Sequence, residues 1–159
     1  MLTIHRRSKM RRPTSVAVIA VLMLLTAVGT LLFWATFFAN LEAQRTGVLA
    51  SRCDAWFAWE MSFPLADGWM ALTAILGAVG LWRMRPLGLL FGLVCGGSMV
   101  FLGLMDVLFF LQNGLYWPLT GEVAVELFVH AWTVAFGLST IAITWRHRAV
   151  LRPWAPGEH

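Results

Sequence analysis

Charge is the first thing this sequence lacks. Only 13% of its 159 residues are Asp, Glu, Lys or Arg, whereas 59% are hydrophobic, and the mean hydropathy is +0.73. A water-soluble domain of this composition would expose far too much apolar surface, so the composition calls for a membrane protein. Cysteine is scarce as well. Cys53 and Cys95 are the only two, and the topology derived below puts one outside the bilayer and the other deep inside a span, which excludes a disulfide framework or a cysteine metal site. There is no acid in residues 1–13 or in the first apolar run, and there is no HExxH and no second histidine in any span. Those absences argue against a zinc site and against haem; no metal and no cofactor is expected. No soluble domain, low-complexity tract or internal repeat interrupts the chain, which reads as a single membrane domain over residues 1–159.

What is present is four long apolar runs. Val16 to Ala39 is free of charge and follows five basic residues, Arg6, Arg7, Lys9, Arg11 and Arg12. It is much longer than the ~7–15 apolar residues of a secretory signal and no small-x-small cleavage site follows, so it reads as a first transmembrane helix. Further spans are expected at 65–82, 87–111 and 121–145, giving an all-α, polytopic four-transmembrane-helix bundle. Pro64 suits the first turn of the second span, and Arg83, Met84, Arg85 and Pro86 make a tight basic turn into the third. Asn113-Gly114 begins an outer loop that also carries Tyr116, Trp117 and Pro118.

Between the first two spans, Asp54, Trp56, Phe57, Trp59 and Glu60 place an interfacial segment at about 50–63, a short helix or turn along the outer surface. Trp34 and Trp132 are expected to face lipid. Both termini are expected in the cytoplasm, because that orientation puts ten of the twelve basic residues there and only Arg45 and Arg52 outside. The formal charge of +4 and pI near 10 are therefore topology signals beside apolar spans, and no nucleic-acid partner is expected. The expected location is the cell membrane, multi-pass, and specifically a bacterial cytoplasmic membrane.

The acids are distributed unevenly. Seven of the eight belong to the outer loops or to the outward halves of the spans. In the fourth span Glu122, Glu126 and His130 fall within about 80° of one another at helical spacing, and Thr133, Gly137, Thr140 and Thr144 share their arc. In the third, Gly88, Gly92, Gly96, Gly103 and Asp106 fall within about 100°, and in the second Asp67, Ala71, Ala74 and Ala78 fall within about 60°. Glycine and alanine stripes let helices approach closely, so each acid should point the way its packing face points. The third helix is expected to make the closest contacts along Gly88, Gly92 and Gly96. The predicted ligand-binding residues are Asp67, Asp106, Glu122, Glu126 and His130, lining an acidic, outward-opening pocket, with Asp106, Glu126 and His130 acting as one coupled site.

The layout of four spans, with Glu60 shortly before Pro64 and acids near one surface, resembles the EXPERA group of sterol isomerases and sterol-binding proteins, although without an acid in the first span. The resemblance is one of architecture and brings no function with it. Small multidrug transporters have four helices too, but their essential acid lies in the first helix, where this chain has none. Three functions fit the residues. The pocket would bind or transport a small amphipathic or cationic ligand, using carboxylates for its polar end and Phe, Met and Leu for the rest. It would alternatively move protons as an intramembrane acid/base enzyme, such as a lipid isomerase. Or the stripes would dock another membrane protein or a second copy of the chain, with membrane lipid around the whole.

Overall fold

A computed structural model describes residues 12–151, and every described element is helical. The basic residues before Arg12, and Arg152, which carry part of the orientation argument, lie outside the described residues. Four helices are long and apolar enough to cross a membrane: α1 (Thr14–Ala39), α5 (Pro64–Trp82), α6 (Pro86–Gln112) and α7 (Gly121–Arg146). Their bounds fall within two residues of those read from the hydrophobic runs. The remaining helices are short. Three of them, α2 (Leu41–Thr46), α3 (Val48–Arg52) and α4 (Trp56–Glu60), connect α1 to α5, and α8 (Arg148–Leu151) follows α7.

Local chemistry sets the ends. Pro64 and Pro86 open α5 and α6 at the first helical position, where the missing N–H costs nothing. At the end of α5 the chain turns through Met84 at φ +51°, while Arg85 N–H donates to Gly80 O at 2.8 Å and Met84 N–H to Leu81 O at 3.1 Å. This double bond closes the helix in a Schellman motif with methionine at the left-handed position. Helix α6 ends the same way through Gly114 at φ +63°, with Leu115 N–H on Phe110 O at 2.9 Å. Thr120 caps α7 by accepting from Val123 N–H at 3.3 Å.

Packing follows the small residues. Helix α1 lies on α5, α5 on α6 and α6 on α7, whereas α1 and α7 meet only sparingly. The glycine face of α6 serves two neighbours. A Cβ built on Gly80 would lie 2.6 Å from Gly88 Cα, and one built on Gly137 would lie 2.8 Å from Gly96 O. Both are backbone-on-backbone contacts that any larger residue would forbid. Ala71, Ala74 and Ala78 are buried against α1, whose Ala20, Met23 and Ala27 complete the main core.

A second core sits at the end where α1 stops and α5 begins. Trp34, Phe37, Leu49, Trp56, Phe110, Leu115 and Val123 pack there. Two expectations change at this point. Trp34 does not face outward but is only 7% exposed, and Trp56 leaves the surface for the same cluster. The reason is geometric: α3 and α4 fold back over the helix ends, so indoles that would anchor in a headgroup layer close a lid instead. Trp132 is half-buried, stacks on Phe136 and donates to Thr26 on α1 at 3.2 Å.

Candidate functional site

Beneath that lid lies a cavity of about 440 Å³, bounded by α1, α5, α6, α7 and the start of the α4–α5 connection. Asp67, Asp106 and Glu126 all border it. They reach it because each stands between about one and two turns in from the lid end of its helix, on the face that packs inward. Glu60 is a fourth carboxylate on the wall, missed by the sequence reading. It closes α4, one turn after Trp56, and the burial of that indole carries Glu60 inward on the same helical face.

The four acids are held differently. Asp67 Oδ2 accepts from Trp34 Nε1 at 2.9 Å, and Asp106 Oδ1 accepts from Trp59 Nε1 at 3.2 Å. Trp59 is itself stacked on Phe109, with ring centroids 4.5 Å apart and planes inclined by 4°. Glu126 Oε2 lies 3.7 Å from His130 Nε2. Glu60 is only 8% exposed; its carbonyl accepts from Phe63 N–H at 3.0 Å, but its carboxylate accepts no hydrogen bond among the described residues. Burial above all, and then the neighbouring charges of Glu126, Asp106 and Asp67, hold its carboxyl well above the usual carboxylate range. No Lys, Arg or His borders the cavity among the described residues. The two arginines of the α1–α5 connection have other partners: Arg45 pairs with Glu42, and Arg52 donates to the carbonyls of Gly114 and Trp117.

His130 and Glu122 fall outside the cavity wall. His130 is buried, and its Nδ1 shares a 2.8 Å hydrogen bond with the hydroxyl of Tyr116, the second residue the sequence reading missed. Its ring packs edge-on against Phe110 at 4.7 Å, and its Nε2 faces the cavity carboxylate of Glu126. Tyr116, His130 and Glu126 thus form a chain leading from the loop before α7 to the acids. Partial burial, with Asp106 and Glu126 nearby, raises the phenol of Tyr116 from its ordinary value. Glu122 is exposed, one turn nearer the helix end than Glu126, and its Oε2 would stand 3.8 Å from a Cβ on Gly47.

The rest of the wall is uncharged and largely apolar: Leu22, Phe33, Phe63, Met70, Met99 and Trp132 are among its members, with the hydroxyls of Thr26, Thr30 and Thr133 between them. Among the described residues no three His, Cys, Asp or Glu side chains stand close enough to hold one metal ion. The arrangement can therefore solvate one compact positive charge or hydrogen-bond donor at the carboxylate end and an apolar body beside it. Comparison with protein-family models, with curated proteins and with solved structures finds no match for this chain.

Proposed function

We propose that this chain is a multi-pass protein of the bacterial cytoplasmic membrane, with both termini cytoplasmic, that binds or transports a small amphipathic or cationic ligand in an acidic cavity within the outer half of the bilayer. One observation carries the reading: four carboxylates share the wall of a largely apolar cavity that no Lys, Arg or His borders among the described residues, with His130 behind Glu126 as the one basic neighbour. Buried carboxylates in that number are costly unless protons or a cation neutralise them, and intramembrane ionisable groups mark sites of function. The orientation is supported by the basic turn Arg83–Arg85 and by Arg146 and Arg148, all at the end opposite the acids.

The test is thermal stabilisation of the purified protein in detergent by cationic, neutral and anionic amphiphiles. Cationic compounds should raise Tm, and Asp106→Asn and Glu126→Gln should diminish the effect non-additively, because groups sharing one site fail additivity. Equal response to all three classes would overturn the reading. A reporter fused after His159 that signals an extracytoplasmic terminus would overturn the orientation.

A second reading is favoured by the Tyr116–His130–Glu126 chain. A phenol hydrogen-bonded to a histidine that in turn neighbours a cavity carboxylate is an arrangement for delivering a proton to a bound substrate. Tyr116→Phe discriminates: it breaks that chain without altering the cavity wall, so it should spare ligand binding and abolish turnover.

A further inference from the structure

We infer that the ligand is a single-chain lipophilic primary amine that enters sideways from the lipid, between α1 and α7, and sets its ammonium against Glu60 at the carboxylate end of the cavity. The inference rests on the binding function proposed above and narrows it to a ligand class and a route.

The route follows from which helices touch. Helices α1 and α7 are neighbours with little contact, and the cavity occupies the gap between them. Its mouth is formed by Leu25, Val125 and Phe128, which are 61%, 61% and 65% exposed. These are apolar side chains on the outer faces of helices apolar enough to lie in lipid. The way in from the aqueous side is closed, since the aromatic cluster of Trp34, Phe37, Trp56 and Phe110 fills the end beneath α3 and α4. A solute restricted to water would meet that lid; a solute dissolved in the bilayer meets an open side.

The ligand class follows from the polarity gradient. Carboxylates gather at the lid end, and the wall then runs along α1 from Phe33 back to Leu22, about 16 Å by helical rise, without a further charge: Phe33, Leu25 and Leu22 are apolar, and of the two hydroxyls there, Thr30 and Thr26, the second already accepts from Trp132 Nε1. That trough suits one hydrocarbon chain, and a volume of about 440 Å³ is that of a single small-molecule site. Glu60 selects the head. The residue is nine-tenths buried on the cavity wall and its carboxylate oxygens have no protein partner among the described residues, whereas Asp67 and Asp106 each already hold an indole N–H. An ammonium supplies three N–H donors and one positive charge, which meets both deficits by charge-assisted hydrogen bonds. A trimethylammonium offers charge without donors, and an alcohol offers a donor without charge.

The probe is dodecylamine, titrated into the full chain in lipid nanodiscs, with tryptophan fluorescence as the readout and empty discs as background. Trp34, Trp59 and Trp132 surround the site and report its occupancy. Saturable binding is expected, with dodecanol, dodecyltrimethylammonium and ethylamine each at least about tenfold weaker, as expected for the loss of one charged hydrogen bond or of chain burial. Glu60→Gln should weaken dodecylamine by about tenfold or more. Gly29→Phe should block the trough, because Gly29 lines the cavity with nothing within 4 Å of its would-be Cβ, whereas Gly97→Phe, equally open but away from the cavity, should not. Leu25→Trp repeats the block at an exposed position of the mouth, should Gly29→Phe fail to fold. If ethylamine matches dodecylamine and the blocking variants bind normally, the lipid route and the chain fall while cation binding stands. If dodecyltrimethylammonium matches dodecylamine, N–H recognition falls. If no amine binds saturably, the binding function falls with them.

Discussion

Replacing Gly88 by alanine should loosen the α5–α6 hairpin, the frame that presents Asp67 and Asp106 to one cavity. A Cβ at this position would lie 2.6 Å from the carbonyl carbon of Gly80 and 2.9 Å from Leu81 Cα. Both atoms are backbone, so no rotamer change relieves the contact and the helices must separate. Overpacking of this kind costs about 1–3 kcal/mol, and backbone contact puts it at the upper end. Alanine returns about 1 kcal/mol through helix propensity, leaving a net loss of about 2 kcal/mol. At about 2–4 °C per kcal/mol for a chain of this size, Tm should fall by about 4–8 °C. Gly97→Ala is the matched control, since nothing lies within 4 Å of the added methyl and the helix-propensity gain alone remains. Both variants are measured by tryptophan fluorescence during thermal unfolding in one detergent. A Gly88→Ala protein that melts with wild type, or with Gly97→Ala, refutes the close approach.

Two further outcomes follow from the cavity. The carboxyl of Glu60 is raised above its ordinary value of 4.5, so the folded state binds its proton more tightly than the unfolded chain does. Its contribution to stability is full below that value and is lost as pH rises through the folded pKa. Glu60→Gln should therefore flatten the fall of Tm from about pH 4.5 upward and leave the variant more stable than wild type at the alkaline end, while superimposable pH profiles would contradict the burial of this acid. Trp34→Phe removes the one hydrogen bond that the Asp67 carboxylate accepts among the described residues and should cost about 1–3 kcal/mol. Adding Asp67→Asn should change that cost, because bonded partners are non-additive, and a strictly additive double variant would show the bond to be worthless.

The helices were legible because their signal is local. Unbroken apolar runs, bounded by Pro64 and Pro86 at two starts and by Asn113-Gly114 at one end, set bounds that the structure moves by no more than two residues. The glycine face of α6 was legible for the same reason, though not its division between two neighbours. Gly88 meets α5 and Gly96 meets α7, a split that depends on how the helices cross and not on spacing. The segment 40–63 was misjudged at Trp56, since an indole among charges looks the same in sequence whether it anchors at a membrane surface or closes a lid.

The site shows where periodicity stops informing. Glu122, Glu126, His130, Thr140 and Thr144 share one arc of α7, yet they meet different surroundings. Glu126 borders the cavity, His130 turns to Tyr116, Thr144 packs on Gly92, and Glu122 stays exposed. Spacing gives the angle around a helix axis but not the neighbour at each height, and Glu122, about 6 Å further along the axis than Glu126 by helical rise, has already passed the cavity's edge. Glu60 is the converse case. It lies on a five-residue helix too short to show a period, so only the requirement to bury Trp56, one turn earlier on the same face, could have drawn it in. The residue that best distinguishes a ligand site from a set of helix contacts, an unpartnered buried carboxylate, is thus supplied by the part of the chain whose pattern is weakest. A reading confined to the long helices would recover the frame of the cavity and miss the one wall acid that lacks a protein hydrogen-bond donor or histidine neighbour among the described residues.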